Sequence, residues 1–306
     1  MRIGLTGGAS TVDAIVDQAK EAEQQGFSAL WYASSVARDP VTAMAIAGRE
    51  TTRIELGTAV LQTYPCHPLL QANRAMAAAE AMGRPGFTLG IGPSHEPLIR
   101  DVYGLSYAHP GRHTEEYLQI ISAILRGETI HLDGADWTAH LPGVGPRPEV
   151  PLLLSALSPR MLRIAGQYAD GTICWMASTA AIESHVAPRI RSAAEQAGRP
   201  APRIVAGLPV AVHPNAHTAR EAIDRASHRY AGMTNYRRII ETGGGRTPAD
   251  VSIVGDEKSV EEQLRRLIDA GATDIWAQPV PVGDDPAQRK ASRDRTVALL
   301  SALARD

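Results

Sequence analysis

Phe87-Thr88-Leu89-Gly90-Ile91-Gly92-Pro93-Ser94-His95-Glu96 is the stretch on which the fold turns. An apolar run flows into two glycines, as it does where a strand opens a dinucleotide-binding turn. The G-x-G-x-x-G fingerprint needs a third glycine, but that position holds His95, and Pro93 interrupts the approach. Gly4-Leu5-Thr6-Gly7-Gly8-Ala9, after the first apolar run, also has the wrong spacing. A doubly wound nucleotide-binding sheet is disfavoured, and the run at 87–91 becomes one strand of a longer series.

Outward from it, short apolar runs recur at residues 2–5, 29–32, 54–60, 152–155, 172–176, 204–212 and 274–278. Stretches of helical period lie between them, near 11–25, 41–49, 69–82, 114–125, 159–168, 180–197, 218–242 and 259–270. In the first, Val12, Ile15, Val16, Ala19 and Ala22 share a face, and Gly26 reads as its C-terminal cap. Strict alternation of strand and helix demands a parallel sheet covered by helices. Eight such units in 306 residues predict an α/β fold, a (β/α)8 TIM barrel. The long gaps at 92–150 and 213–255 place insertions after strands 4 and 7. Asp133-Gly134, between extended residues such as Ile130 and Trp137, predicts a hairpin in the first. No shift in composition divides the chain, so residues 1–306 are expected to form a single barrel domain.

Thirty-one basic residues against 33 acidic ones leave a net charge of -2. That balance offers no field to attract nucleic acid or an anionic membrane. No run approaches the roughly 18 apolar residues of a membrane span, and Met1-Arg2-Ile3-Gly4-Leu5 is too short for a signal peptide. Cys66 and Cys174 make neither a disulfide framework nor a metal spacing. The expectation is a cytoplasmic protein acting on a small molecule.

In such a barrel, chemistry gathers at the C-terminal ends of the strands. Gly57-Thr58-Ala59-Val60 there reads either as a seat for a flat ligand or as a bend in a barrel strand. Ser94, His95 and Glu96 offer a hydroxyl, an imidazole and a carboxylate in a row, suited to proton transfer or simply to a solvated turn. Ser158-Pro159 reads as an N-cap with proline in the first turn, and a helix start also suits a phosphate. Trp31, Trp175 and Trp276 stand near strand ends, either shaping an apolar pocket or packing barrel against helix. His109 and His113 have the i,i+4 spacing of a metal pair, but Pro110 and Gly111 argue against a helix there, and no metal is expected. Gly243-Gly244-Gly245 lacks the Lys-Ser or Lys-Thr of a phosphate loop and reads as a connection.

The order of these segments resembles the luciferase-like flavin and deazaflavin oxidoreductases, above all the branch using coenzyme F420. The resemblance covers almost the whole chain. It rests on Arg2-Ile3-Gly4-Leu5, Gly26-Phe27-Ser28-Ala29-Leu30-Trp31, Leu56-Gly57-Thr58-Ala59-Val60 with His67-Pro68, and Phe87-Thr88-Leu89-Gly90-Ile91-Gly92. Ala169-Asp170-Gly171 and Ala270-Gly271-Ala272-Thr273-Asp274 complete it. The resemblance implies a cofactor ring at the strand C-termini, backed by a non-proline cis peptide whose counterpart is Ala59–Val60. It further implies that Thr58, Gly92 and Ser94 line the ring or ribityl chain, and that Ala156, Leu157 and Ser158 contact the phosphate. Relatives acting on sugar phosphates or alcohols carry Asp-His after the second strand; here the stretch is Tyr32-Ala33-Ser34-Ser35. With that histidine absent, Glu96 and His95 become the proton-handling candidates. The implied activity is hydride transfer between F420 and a C=C or C=N bond. An FMN-dependent monooxygenase and a non-catalytic flavin-binding barrel are the alternatives, and a homodimer is expected from the family.

Overall fold

In the computed structural model the expected strands are β1 (Ile3–Thr6), β2 (Ala29–Tyr32), β3 (Glu55–Thr58), β4 (Phe87–Gly92), β5 (Leu152–Leu154), β6 (Gly171–Trp175), β7 (Arg203–Val212) and β8 (Asp274–Pro279). All residues are described except 9, 35–38, 144 and 146. Successive strands pair in parallel. β8 returns to β1, with Ile3 opposite Ile275 and Gly4 opposite Trp276. The sheet closes on itself, and the fold is a (β/α)8 barrel.

Around it lie α1 (Val12–Gln24), α2 (Pro40–Arg49), α3 (Pro68–Met82), α4 (Pro110–Leu125), α5 (Pro159–Tyr168), α6 (Ala187–Gln196), α7 (Ala216–Ala231), α8 (Thr234–Thr242), α9 (Glu257–Asp269) and α10 (Pro286–Arg305). Ile130–Asp133 and Thr138–Leu141 form an antiparallel hairpin between β4 and β5.

Several boundaries differ from the sequence reading, each for a local reason. The long helix expected at 218–242 is broken at Gly232–Met233, where Met233 is extended and α8 starts afresh. The helix expected at 180–197 carries a π-helical turn over Ile182–Val186. Pro188 has no N–H to give to Ser184, whose carbonyl accepts from the Arg189 side chain instead. α10 was not expected, although Asp285-Pro286 is an N-cap followed by proline at the first position. It docks on α1 through Ser301 Oγ and Arg305 Nε, both donating to the Gln25 carbonyl.

Side chains alternate along a strand, so the register decides what fills the barrel. Trp31 lies between Gly4 and Gly57, where a Cβ would stand 2.7 Å and 2.2 Å from its indole. Gly207 is paired with Trp175 on one side and Trp276 on the other. The two indoles meet over it with centroids 4.8 Å apart, and Trp276 Nε1 donates to Thr6 Oγ1 at 2.7 Å. The tryptophans therefore fill the barrel itself, and glycines on neighbouring strands give them room.

The N-terminal mouth is closed by charge. Arg203 donates to Glu55 Oε1 and to Asp274 Oδ1, each at 2.6 Å. Its guanidinium also sits 5.5 Å from the Trp31 ring centre. Arg2 covers the pair from the solvent side, 2.8 Å from each carboxylate, and Thr88 donates to Glu55. Burial would raise the Asp274 pKa, but hydrogen bonds from Arg203 and Arg2 outweigh it and hold the carboxyl below its usual range. The stability this gives is present above about pH 4 and is lost as pH falls through the lower folded-state value.

Replacing Arg203 with Met leaves two buried carboxylates with Arg2 as their one cation among the described residues. Urea unfolding is expected to show a loss of about 3–5 kcal/mol; a loss within about 0.5 kcal/mol would mean that the cluster carries no stability.

Candidate active site

The connections after β3, β4 and β5 converge at the C-terminal mouth. Beyond Thr58 the Ala59–Val60 bond is cis, and the short strand Leu61–Gln62 then pairs alongside the end of β4. Thr58 Oγ1 accepts from the Gly90 amide at 2.8 Å and donates to the Gly90 carbonyl at 2.7 Å. Only glycine fits at residue 90, because a Cβ would lie 2.0 Å from the Thr58 carbonyl oxygen. β4 leaves through Gly92 into Ser94, whose φ of 64° puts a non-glycine residue in the left-handed region. The Tyr107 hydroxyl holds that turn by donating to the Ser94 carbonyl at 2.8 Å. After β5, Ser158 caps α5, its Oγ accepting from the Met161 amide at 3.3 Å. Pro159 occupies the first turn.

Between these connections and α8 opens a cavity of about 990 Å³. Val60, Gly92, Ser94, His95, Glu96, Leu157 and Ser158 all stand on its wall. Thr58, Ala59 and Ala156 are buried and lie behind it. The Thr58 hydroxyl is already committed to Gly90, and the Ala156 carbonyl accepts from the Cys174 thiol at 3.3 Å. These residues shape the wall from behind, which differs from direct contact through their side chains. Gly92 contributes space: a Cβ there would sit 3.1 Å from both Ser155 Cβ and Val60 Cγ2.

His95 is half-buried and makes no side-chain hydrogen bond among the described residues. Burial first, and the Arg229 guanidinium second, hold its pKa below the ordinary value, so the ring is neutral at pH 7. It stands 5.6 Å from the Tyr236 ring. Glu96 is exposed and paired with Arg100 at 2.8 Å.

Sequence reasoning missed other members of the wall. Tyr107, Ser155, Arg160 and Arg238 line it from loops and helices whose positions only the closed fold fixes. Ser155 alone carried a signal, as the last residue of an expected strand. Arg160 is paired with Glu115 at 3.2 Å, whereas Arg238 has no ion pair among the described residues. In the stretch Tyr32-Ala33-Ser34-Ser35, Tyr32 is buried and its hydroxyl donates to Gln18 at 2.5 Å; Ser35 lies outside the described residues. Gly243-Gly244-Gly245 joins α8 to the turn Pro248–Val251, away from the cavity wall.

The His109–His113 expectation needs correction. Pro110 does not prevent a helix but begins one, since proline is favoured in the first turn. His113 itself is buried, its Nε2 lies 3.0 Å from Thr63 Oγ1, and it stacks on Tyr64. Cys174 is a buried thiol whose pKa burial pushes up to about 12.

The sequence profile of the luciferase-like monooxygenases matches residues 1–292. The chain belongs to that family. Among curated luciferase-like relatives, the 5,10-methylenetetrahydromethanopterin reductase of Methanolobus tindarius is 27% identical, over 90% of this chain and 92% of its own. The 4-hydroxyprotoasukamycin monooxygenase of Streptomyces nodosus subsp. asukaensis is 32% identical over 48% of this chain and 42% of its own. Among solved structures, the coenzyme F420 dependent tetrahydromethanopterin reductase from Methanopyrus kandleri superposes with a TM-score of 0.73 at 20% identity. That match covers 98% of this chain and 97% of the other, and it bears on the fold alone. Among the described residues no helix is long and apolar enough to cross a membrane.

Burial holds His113 neutral down to a pKa of about 4, against about 6.5 in the unfolded chain. The unfolded state binds the extra proton between those values, so stability falls as pH drops from about 6.5 to about 4. His113→Gln is expected to flatten that part of the stability–pH curve measured by urea unfolding; an unchanged slope would show that His113 does not cause it.

Proposed function

We propose that this luciferase-like enzyme binds coenzyme F420 at the mouth of its barrel and transfers a hydride between it and a small organic substrate. The cavity carries this reading. Its volume suits a ligand of cofactor size, and its wall joins the glycine-floored end of β4 to the N-terminus of α5. The reductase from Methanolobus tindarius, aligned over most of both chains, supports a reductase in preference to a monooxygenase.

The residues present fit the group. Gly92, without a Cβ, leaves a flat ring access to the backbone between Val60 and Ser155. The start of α5 offers the Arg160 amide, which has no partner among the described residues, and the positive end of the helix dipole to a phosphate. Arg238, with no carboxylate partner among the described residues, adds positive charge to the same wall. These local donors matter because the chain as a whole has a net charge of -2. Thr58, Ala59 and Ala156 support the seat from behind, while Ser94, Leu157 and Ser158 line it.

When bound, the deazaflavin supplies two-electron hydride chemistry at its ring carbon C5, directed at an electron-poor C=C or C=N bond. The protein's part is to hold the reacting carbons in contact and to manage one proton. Reduction of the substrate needs a proton after the hydride: His95, with no side-chain hydrogen bond among the described residues, can take one from solvent on a ring nitrogen and pass it on, and in the reverse direction it accepts the proton released. Glu96 holds a carboxylate on the same wall, kept in place by Arg100. A homodimeric, cytoplasmic enzyme built as one domain belongs to the same proposal.

Purified apoprotein titrated with F420 and with FMN is expected to bind F420. Tight FMN binding with NAD(P)H-dependent oxygen consumption would replace this reading with a monooxygenase, and binding of neither would point to a non-catalytic barrel. With a substrate found by screening for oxidation of reduced F420, Glu96→Gln and His95→Asn are each expected to cut turnover by about 10²–10⁴ while sparing cofactor affinity. Unchanged turnover in both would remove them from proton transfer.

A further inference from the structure

The hairpin of Ile130–Asp133 and Thr138–Leu141 carries a side-chain cluster that hydride transfer does not use. His131 and His140 face each other directly across the antiparallel pair. Asp133 lies two residues beyond His131 and so shares its face. The opposite face is fixed by packing: Ala139 is buried, and Ile130, Leu132 and Leu141 pack against the core. The three polar side chains are therefore held outward together by the pleat.

They converge closely. The two imidazoles stack with centroids 3.9 Å apart. Asp133 Oδ1 lies 2.9 Å from His140 Nε2, and its Oδ2 lies 3.8 Å from His131 Nε2. One donor atom from each residue falls within 4.8 Å of the other two. Nitrogen and oxygen ligands about 2.0–2.2 Å from a tetrahedral zinc ion stand roughly 3.4 Å apart, so only small side-chain rotations separate this cluster from a ligand set. The side chains are exposed and free to make them.

We infer that His131, Asp133 and His140 form a binding site for a divalent transition-metal ion of the Zn²⁺ class, with water completing the shell. Two imidazoles and one carboxylate are the donors such ions select over Ca²⁺ or Mg²⁺. The backbone beneath the cluster is already fixed. Glu116 accepts from the amides of Ala135, Asp136 and Trp137 at 3.0, 2.8 and 2.9 Å. Arg112 grips Asp136 at 2.7 Å, and His67 Nε2 lies 3.2 Å from the Thr138 carbonyl oxygen. Little backbone ordering therefore remains to be met on binding. An ion there would cross-link the two strands.

The test is a calorimetric titration of the full, tag-free, metal-stripped protein with Zn²⁺ alone. One saturable equivalent is expected, weakened at least about tenfold by His131→Ala or His140→Ala and lost in the double variant. Zn²⁺ is also expected to raise the melting temperature of the parent protein and not of the double variant. Both positions are exposed, and circular dichroism checks that the variants keep the fold. No saturable binding by the parent protein, or binding that survives in the double variant, overturns the assignment.

Discussion

Arg203 reaches across the barrel to Glu55 and sideways to Asp274, so one guanidinium ties β7 to β3 and to β8. Arg2 completes the ties at β1 from outside. Taking these charges out of water is costly, and the cluster holds because every carboxylate oxygen in it has a donor. Above it the indole of Trp31, and then those of Trp175 and Trp276, fill the interior. With the lower end sealed and the middle packed, the open C-terminal mouth is left for ligands, and the connections after β3, β4 and β5 build it.

The alternation of apolar run and helical period was enough to reveal the barrel. β2 and α5 agree residue for residue with the expected ranges, and α5 is punctuated by Ser158-Pro159 before it and Gly171 after it. What could not be read was anything that depends on closure. Arg2, Glu55, Arg203 and Asp274 are far apart in sequence and meet only when β8 pairs with β1. Gly57 reads in the sequence as a ligand seat or a bend, whereas it makes room, as do Gly4 and Gly207, for indoles on neighbouring strands.

The site was legible to the same degree and for the same reason. His95, Glu96, Gly92 and Ser158 sit at strand ends, where the alternation alone places them, and they share one cavity. Tyr107, Arg160 and Arg238 reach it from elsewhere in the chain, and no local pattern marks them. Ser94 shows how local and tertiary signals combine: its left-handed backbone would favour glycine, and a hydroxyl thirteen residues away holds the turn in place.

The central claim is that the cofactor sits on the wall between Val60, Gly92 and the start of α5. A crystal structure of the protein soaked with F420 tests it most directly. Difference density for the tricyclic ring beside Val60 and Gly92, with the phosphate at the N-terminus of α5, is the predicted result. Ordered cofactor bound anywhere else, with that wall empty, would contradict the account.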